Sequence, residues 1–239
     1  MIVSDRFAER DRRLLAHVAR YQVWVGRVIE ELYFGSKTSG HIQRRLVESG
    51  DLELHSRKIP GSLSYCSLSS AAVQKLGLPK ERAQISAAAL DQALAILYWA
   101  KTGPQKRIRL ERTETIKILE DEKAVASNIA HCISGAGDFG EHPVLWRVYQ
   151  SSTSFEKTVE YLSKQIDVTY QTSTLVPLAC NRLYGILVLV ESIAKVKTFS
   201  RRIQDHPISK NLLVHVDLGP TSATLARAFK EKWETQKWK

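Results

Sequence analysis

Cysteine is scarce in this 239-residue chain: Cys66, Cys132 and Cys180 are odd in number, far apart, and in no Cys-x-x-Cys pair. That spacing excludes a disulfide framework and a Cys-rich zinc site, and it fits a reducing compartment. No apolar run is long enough to cross a bilayer; the longest, at residues 184–190, falls far short. The opening MIVSDRFAERDRR is charged and lacks an apolar h-region, so no secretory signal is expected. His131, His142, His206 and His215 never fall into a tight ligand spacing, and no metal or cofactor is expected. No repeat or low-complexity segment is visible. These absences leave a soluble, cytoplasmic, non-membrane protein as the expectation.

What the chain has in excess is positive charge. The net charge is +10 and the pI about 9.6, which favours polyanionic partners. The excess is distributed along the chain: residues 1–80 hold 13 Lys and Arg against 8 Asp and Glu, the remainder 22 against 17.

The best-marked basic stretch is TSGHIQRRLVESGDLEL at residues 38–54. Ile42 and Leu46 lie four apart, with Val47 beside Leu46, so one helical face can be buried. Thr38 or Ser39 can cap the helix, Gly50 stops it, and Leu52-Glu53-Leu54 begins a strand. Ser39, His41, Gln43, Arg44 and Arg45 are left to face outward, where they can reach base edges or phosphates in a major groove. An amphipathic helix before an ordinary hairpin is the plainer reading of the stretch by itself.

Its surroundings favour the more specific one. Helices are predicted at 7–21 and 25–34, and a Gly-Ser-Lys turn leads into the basic helix. Two strands follow, 52–54 and 63–68, joined through Pro60-Gly61 with Arg57 and Lys58 near the tip. A short helix at 69–76 closes the unit. Helix, helix, turn, helix and hairpin, in that order, describe a winged helix-turn-helix domain over residues 1–80. Arg57 and Lys58 are then wing cations, although a solvated hairpin tip can be basic by chance.

Residues 81–104 predict a connecting helix, its small-residue run 86–89 suited to close helix packing or a dimer contact. Over 105–239 strands and helices alternate: strands at 107–110, 144–149, 175–178, 184–191 and 212–218, helices at 154–166, 194–203 and 222–233, with a polar segment of helical character running from the first strand through residue 130. The expected class is α+β: the winged helix-turn-helix followed by a mixed α/β domain around a central sheet. GILVLV at 185–190 is its buried strand.

Two places in this second domain bear on chemistry. Gly135, Gly137 and Gly140 neither follow a predicted strand nor open a helix, so they read as a loop rather than a phosphate cradle. Glu191, with Lys195 and Lys197 soon after, sits where restriction-type nucleases keep a metal-binding Glu-x-Lys. Here Ile193 occupies the lysine position, and the segment before it offers no Asp. A strand-end carboxylate in a salt bridge is the favoured reading, and no enzyme activity is expected. Trp99, Trp146, Trp233 and Trp238 read as core or tail packing.

The segments DRRLLAHVARYQVWVGRVIEELYF, IQRRLVESGDLE and SYCSLSSAAVQKLG, with LYGILVLVES and LLVHVDLGPTSATLARAF later, resemble the replication-relaxation family of bacterial plasmids and integrative elements. The resemblance implies a winged helix followed by a divergent, degenerate nuclease-like α/β domain. It implies an accessory factor of plasmid replication or conjugative mobilisation that binds double-stranded DNA. A relaxase or replication protein, and a second copy of the chain, are candidate partners. A winged-helix transcriptional regulator and a metal-dependent nuclease of restriction-like fold are the alternatives.

Overall fold

The computed structural model describes residues 3–26, 28–30, 40–59, 63–78, 85–102, 107–125, 129–151 and 153–228. The protein is mixed α+β, with one three-stranded and one five-stranded sheet. It divides into two compact units, residues 1–94 with 221–239, and residues 95–220. The division falls inside a helix, and residues 221–228 group with the first unit.

In the first unit, α1 (Val3–Tyr21) leads into the two-residue strand β1 (Trp24–Val25), and helical residues follow at 26 and 28–30. Helix α2 (Gly40–Glu48), strands β2 (Leu52–Ile59) and β3 (Leu63–Leu68), and helix α3 (Ser70–Lys75) complete it. The sheet is antiparallel in the order β1-β3-β2. The sequence reading missed β1, because two residues carry no periodicity and Val25 fits a helical apolar pattern equally well. The remainder of the helix predicted to reach residue 34 lies outside the described residues.

The core of this unit is aliphatic: Leu14, Val18, Ile29, Ile42, Leu46, Leu52, Leu68 and Val73 gather around Trp24 and Cys66. Gly50 ends α2 at φ 76°, a left-handed conformation that a side chain would strain. The Asp51 N–H then reaches Leu46 O and the Gly50 N–H reaches Val47 O, a Schellman closure. Ser69 ties the next helix to this corner. Its hydroxyl donates to Gly50 O and accepts from the Ala72 N–H, capping α3.

The second unit takes in the second half of α4 (Ala87–Thr102), followed by β4 (Arg107–Leu110), α5 (Arg112–Leu119), β5 (His131–Ser134), β6 (Val144–Ser151) and α6 (Phe155–Gln171). Then come α7 (Leu175–Cys180), β7 (Tyr184–Val190), α8 (Ile193–Gln204), α9 (Ile208–Asn211) and β8 (Leu213–Leu218). The sheet order is β4-β5-β6-β7-β8, with β4, β5 and β6 antiparallel and β6, β7 and β8 parallel. Every residue of β7 is buried, as its unbroken apolar run requires of a strand covered on both faces.

Two expectations are corrected here. Residues 175–178 are helical, not a strand: Leu175 and Ala179, four apart, form the buried side of α7. The predicted helical character through residue 130 ends at Leu119, and β5 follows. His131 and Cys132 gave no alternating pattern because both faces of this strand are covered. The helix predicted at 222–233 is seen at residues 225–228, and Trp233 and Trp238 lie outside the described residues. Trp99 and Trp146 are core residues, as expected. No helix among the described residues is long and apolar enough to cross a membrane.

Candidate nucleic-acid interface

Helix α2 sorts its residues as its periodicity demands. Ile42 and Leu46 are buried, while His41, Arg44 and Glu48 are exposed on the other side. Among the described residues neither the His41 ring nor the Arg44 guanidinium has a protein partner. These two side chains, one turn apart, share the outward polar face of α2 with Glu48.

Gln43 and Arg45 were expected on that face and are engaged elsewhere. The Gln43 amide donates to Cys66 Sγ at 3.1 Å, so it faces the sheet and joins α2 to β3. An Arg45 nitrogen lies 2.6 and 2.7 Å from the two carboxylate oxygens of Asp11, tying the helix to α1. Both side chains sit at positions flanking the buried stripe, where a long polar group finds a partner within the protein. Ser39 lies outside the described residues. Arg57 and Lys58 are in β2, but their side chains lie outside what is described. On the hairpin, His55 stacks on Tyr65 at 4.5 Å and its Nε2 is 2.9 Å from Ser67 Oγ.

Burial pushes the Cys66 thiol up to about 11, against the opposing Gln43 hydrogen bond, and the Cys132 thiol to about 12. Neither forms a nucleophilic thiolate near neutral pH. Among the described residues no group of three or more His, Cys, Asp and Glu could hold a metal ion. Glu191 pairs with Lys195 at 2.9 Å. The strands flanking β7 contribute one carboxylate between them, Asp217.

Asp217 belongs to a charged cluster that the sequence reading missed. Arg107 on β4 donates through two nitrogens to both oxygens of Asp138, at 2.7 and 3.1 Å, and through the third to Asp217 at 3.2 Å. Its guanidinium lies 4.5 Å from the centre of the Trp99 ring. Phe139, beside Asp138, packs edge-on against both Trp146 and His215. Burial raises the Asp217 carboxyl, but the His215 imidazole, the Leu218 N–H and Arg107 outweigh it and hold the group below its usual value. With every nitrogen of Arg107 occupied, the cluster straps the loop 135–143 onto the sheet. The glycine-rich segment is thus a loop between β5 and β6, and Asp138 is its anchor. A signal was present: Arg107 and Arg109 alternate with Ile108 and Leu110, which sends both arginines to one sheet face and calls for a buried acid.

Comparison with protein-family models, with curated proteins and with solved structures finds no match for this chain.

Proposed function

We propose that this protein is a double-stranded DNA-binding accessory factor of plasmid or mobile-element replication or conjugative mobilisation, and that its first unit works as a winged helix-turn-helix. The observation that carries this reading is the outward pair His41 and Arg44 on α2, the helix immediately before an antiparallel hairpin bearing Arg57 and Lys58. The order α1, β1, helical residues, α2, β2, β3, with β1 pairing the far strand of the hairpin, supports it. So does the net charge of +10. In this reading α2 enters the major groove, Arg44 reads guanine or holds a phosphate, and His41 lies nearer the helix N-terminus, where base contacts concentrate. Gln43 and Arg45 become braces of that helix. The second unit is a non-catalytic, nuclease-like body whose Glu191 serves a salt bridge, and a relaxase or replication protein is the partner class proposed for it.

The test measures affinity for a site selected from random DNA, and for random DNA, at one fixed salt. Arg44→Ala should narrow the cognate-to-random gap by about 1–3 kcal/mol, the worth of one good base contact. Gln43→Ala should leave that gap in place. Replacing Arg57 and Lys58 together by Ala should weaken binding to all sequences and flatten its salt dependence by about 1.8 in log–log slope, about 0.9 for each phosphate contact. If Arg44→Ala and His41→Ala both fold normally and leave the ratio unchanged, α2 does not read sequence.

A further inference from the structure

Helix α8 carries Lys195, Lys197, Arg201 and Arg202 and no acidic residue. Its core side is Phe199 and Ile203, with Val196 partly buried beside them. Two of the four cations serve the fold. Lys195 pairs with Glu191 at 2.9 Å, and Arg202 pairs with Glu156 at 2.9 Å while its guanidinium lies 3.8 Å from the centre of the Phe155 ring.

Lys197 and Arg201 are different. Both are exposed, they are one turn apart, and among the described residues neither side chain has a partner. Asp205, the C-cap residue one turn beyond Arg201, makes no ion pair with it. Helix stability does not account for the pair. Like charges four residues apart repel, and Lys197 lies too far from the C-terminus to gain from the helix dipole. Exposed Ile193, one turn before Lys197, extends the same side of the helix with an apolar group.

We infer that the Lys197–Arg201 face of α8 is a second nucleic-acid contact, taking phosphates of the DNA backbone without reading sequence. Side chains one helical turn apart stand about 5–6 Å apart at Cβ, within reach of neighbouring phosphates on one strand. Unpaired Lys and Arg heads suit such a contact, since each releases a condensed counterion on binding. The inference extends the DNA-binding reading above, yet it rests on a separate surface.

The experiment uses the full chain. The slope of log affinity against log salt on a random-sequence duplex is measured for the wild type, for Lys197→Ala with Arg201→Ala, for Arg57→Ala with Lys58→Ala, and for the retained-charge variant Lys197→Arg with Arg201→Lys. The α8 double variant should flatten the slope by about 1.8, two phosphate contacts at about 0.9 each. The retained-charge variant should keep the wild-type slope, and melting temperatures should stay together because both positions are exposed. A flattened slope in the α8 variant with no change in the wing variant upholds this contact and removes the wing. A flattened slope in the wing variant alone overturns this contact and leaves the proposed function standing. Absence of any DNA binding by the wild type overturns both. Flotation with vesicles of anionic phospholipid supplies the competing outcome: vesicle binding lost in the α8 variant while its DNA slope is unchanged overturns the nucleic-acid assignment in favour of a lipid surface.

Discussion

Arg44 and Arg107 are the same residue in opposite settings, one in each of the two units. Arg44 is exposed on α2, and among the described residues its guanidinium has no protein partner. Arg107 is 8% exposed, and its nitrogens are all taken up by Asp138, Asp217 and the Trp99 carbonyl. An unpaired surface cation costs little to keep and gains its energy from a partner outside the protein. A buried one must be satisfied within the fold, and losing it leaves carboxylates without a countercharge. Charge at Arg44 is thus left facing outward, and in this corner of the second unit it is turned inward for structure.

The largest effect expected from that contrast is on stability. Arg107→Ala should destabilise the second unit by about 3–5 kcal/mol, the usual cost of breaking a buried pair from one side. Arg44→Ala should shift the melting temperature hardly at all. Tryptophan fluorescence reports the first change directly, because Trp99 and Trp146 lie in or beside the cluster. If Arg107→Ala melts with the wild type, the cluster is not what holds loop 135–143.

A second consequence of inward polarity is sensitivity to acid. His131 on β5 is buried, and its pKa is lowered from 6.5 to about 4, first by burial and then by the charge of Arg147, its cross-strand neighbour. The unfolded chain takes up this proton near pH 6.5 and the folded chain only near 4. The contribution of His131 is therefore fully present above pH 6.5 and is lost as the pH falls towards 4, by about 3 kcal/mol. Urea unfolding at pH 7.5 and pH 4.5 should show most of this loss in the wild type and correspondingly less in His131→Gln. Equal losses in both proteins would mean that His131 is protonated in the folded state.

What the sequence made legible follows from how local each signal is. Ile42, Leu46 and Gly50 announce α2 and its end within ten residues, and GILVLV announces a buried strand by itself. Strand β1 was invisible because its meaning comes from pairing with Cys66 and Tyr65, some forty residues away. Asp138 and Asp217 were invisible as partners because Arg107 joins them across 31 and 110 positions. Gly185 shows the same limit. It reads as part of an apolar run, yet a Cβ there would lie 2.5 Å from Leu213 O and 2.9 Å from the Trp146 ring. Of the candidate interface, the helix and its exposed face could be read in advance. Which polar side chains were free could not, since Gln43 and Arg45 have partners 23 and 34 residues distant.

That last difference yields the smallest and most discriminating prediction. The Arg45–Asp11 pair is partly exposed, with side-chain exposures of 43% and 22%, so it adds no more than about 1 kcal/mol to stability. Asp11→Ala should therefore barely move the melting temperature. It removes one carboxylate from beside Arg45 on the flank of α2, where later helix positions meet phosphates rather than bases. In the proposed DNA complex the loss of that negative charge should tighten binding to random duplex and steepen the log–log salt slope, by no more than about 0.9, the value of one phosphate contact. The cognate-to-random ratio should fall slightly, because the gain does not depend on sequence. Arg45→Ala, by contrast, should leave the slope near the wild-type value, since its charge is already spent on Asp11. A slope that flattens in Arg45→Ala and stays unchanged in Asp11→Ala would show that Arg45 contacts phosphate despite its pair, and the brace assigned to it here would be wrong.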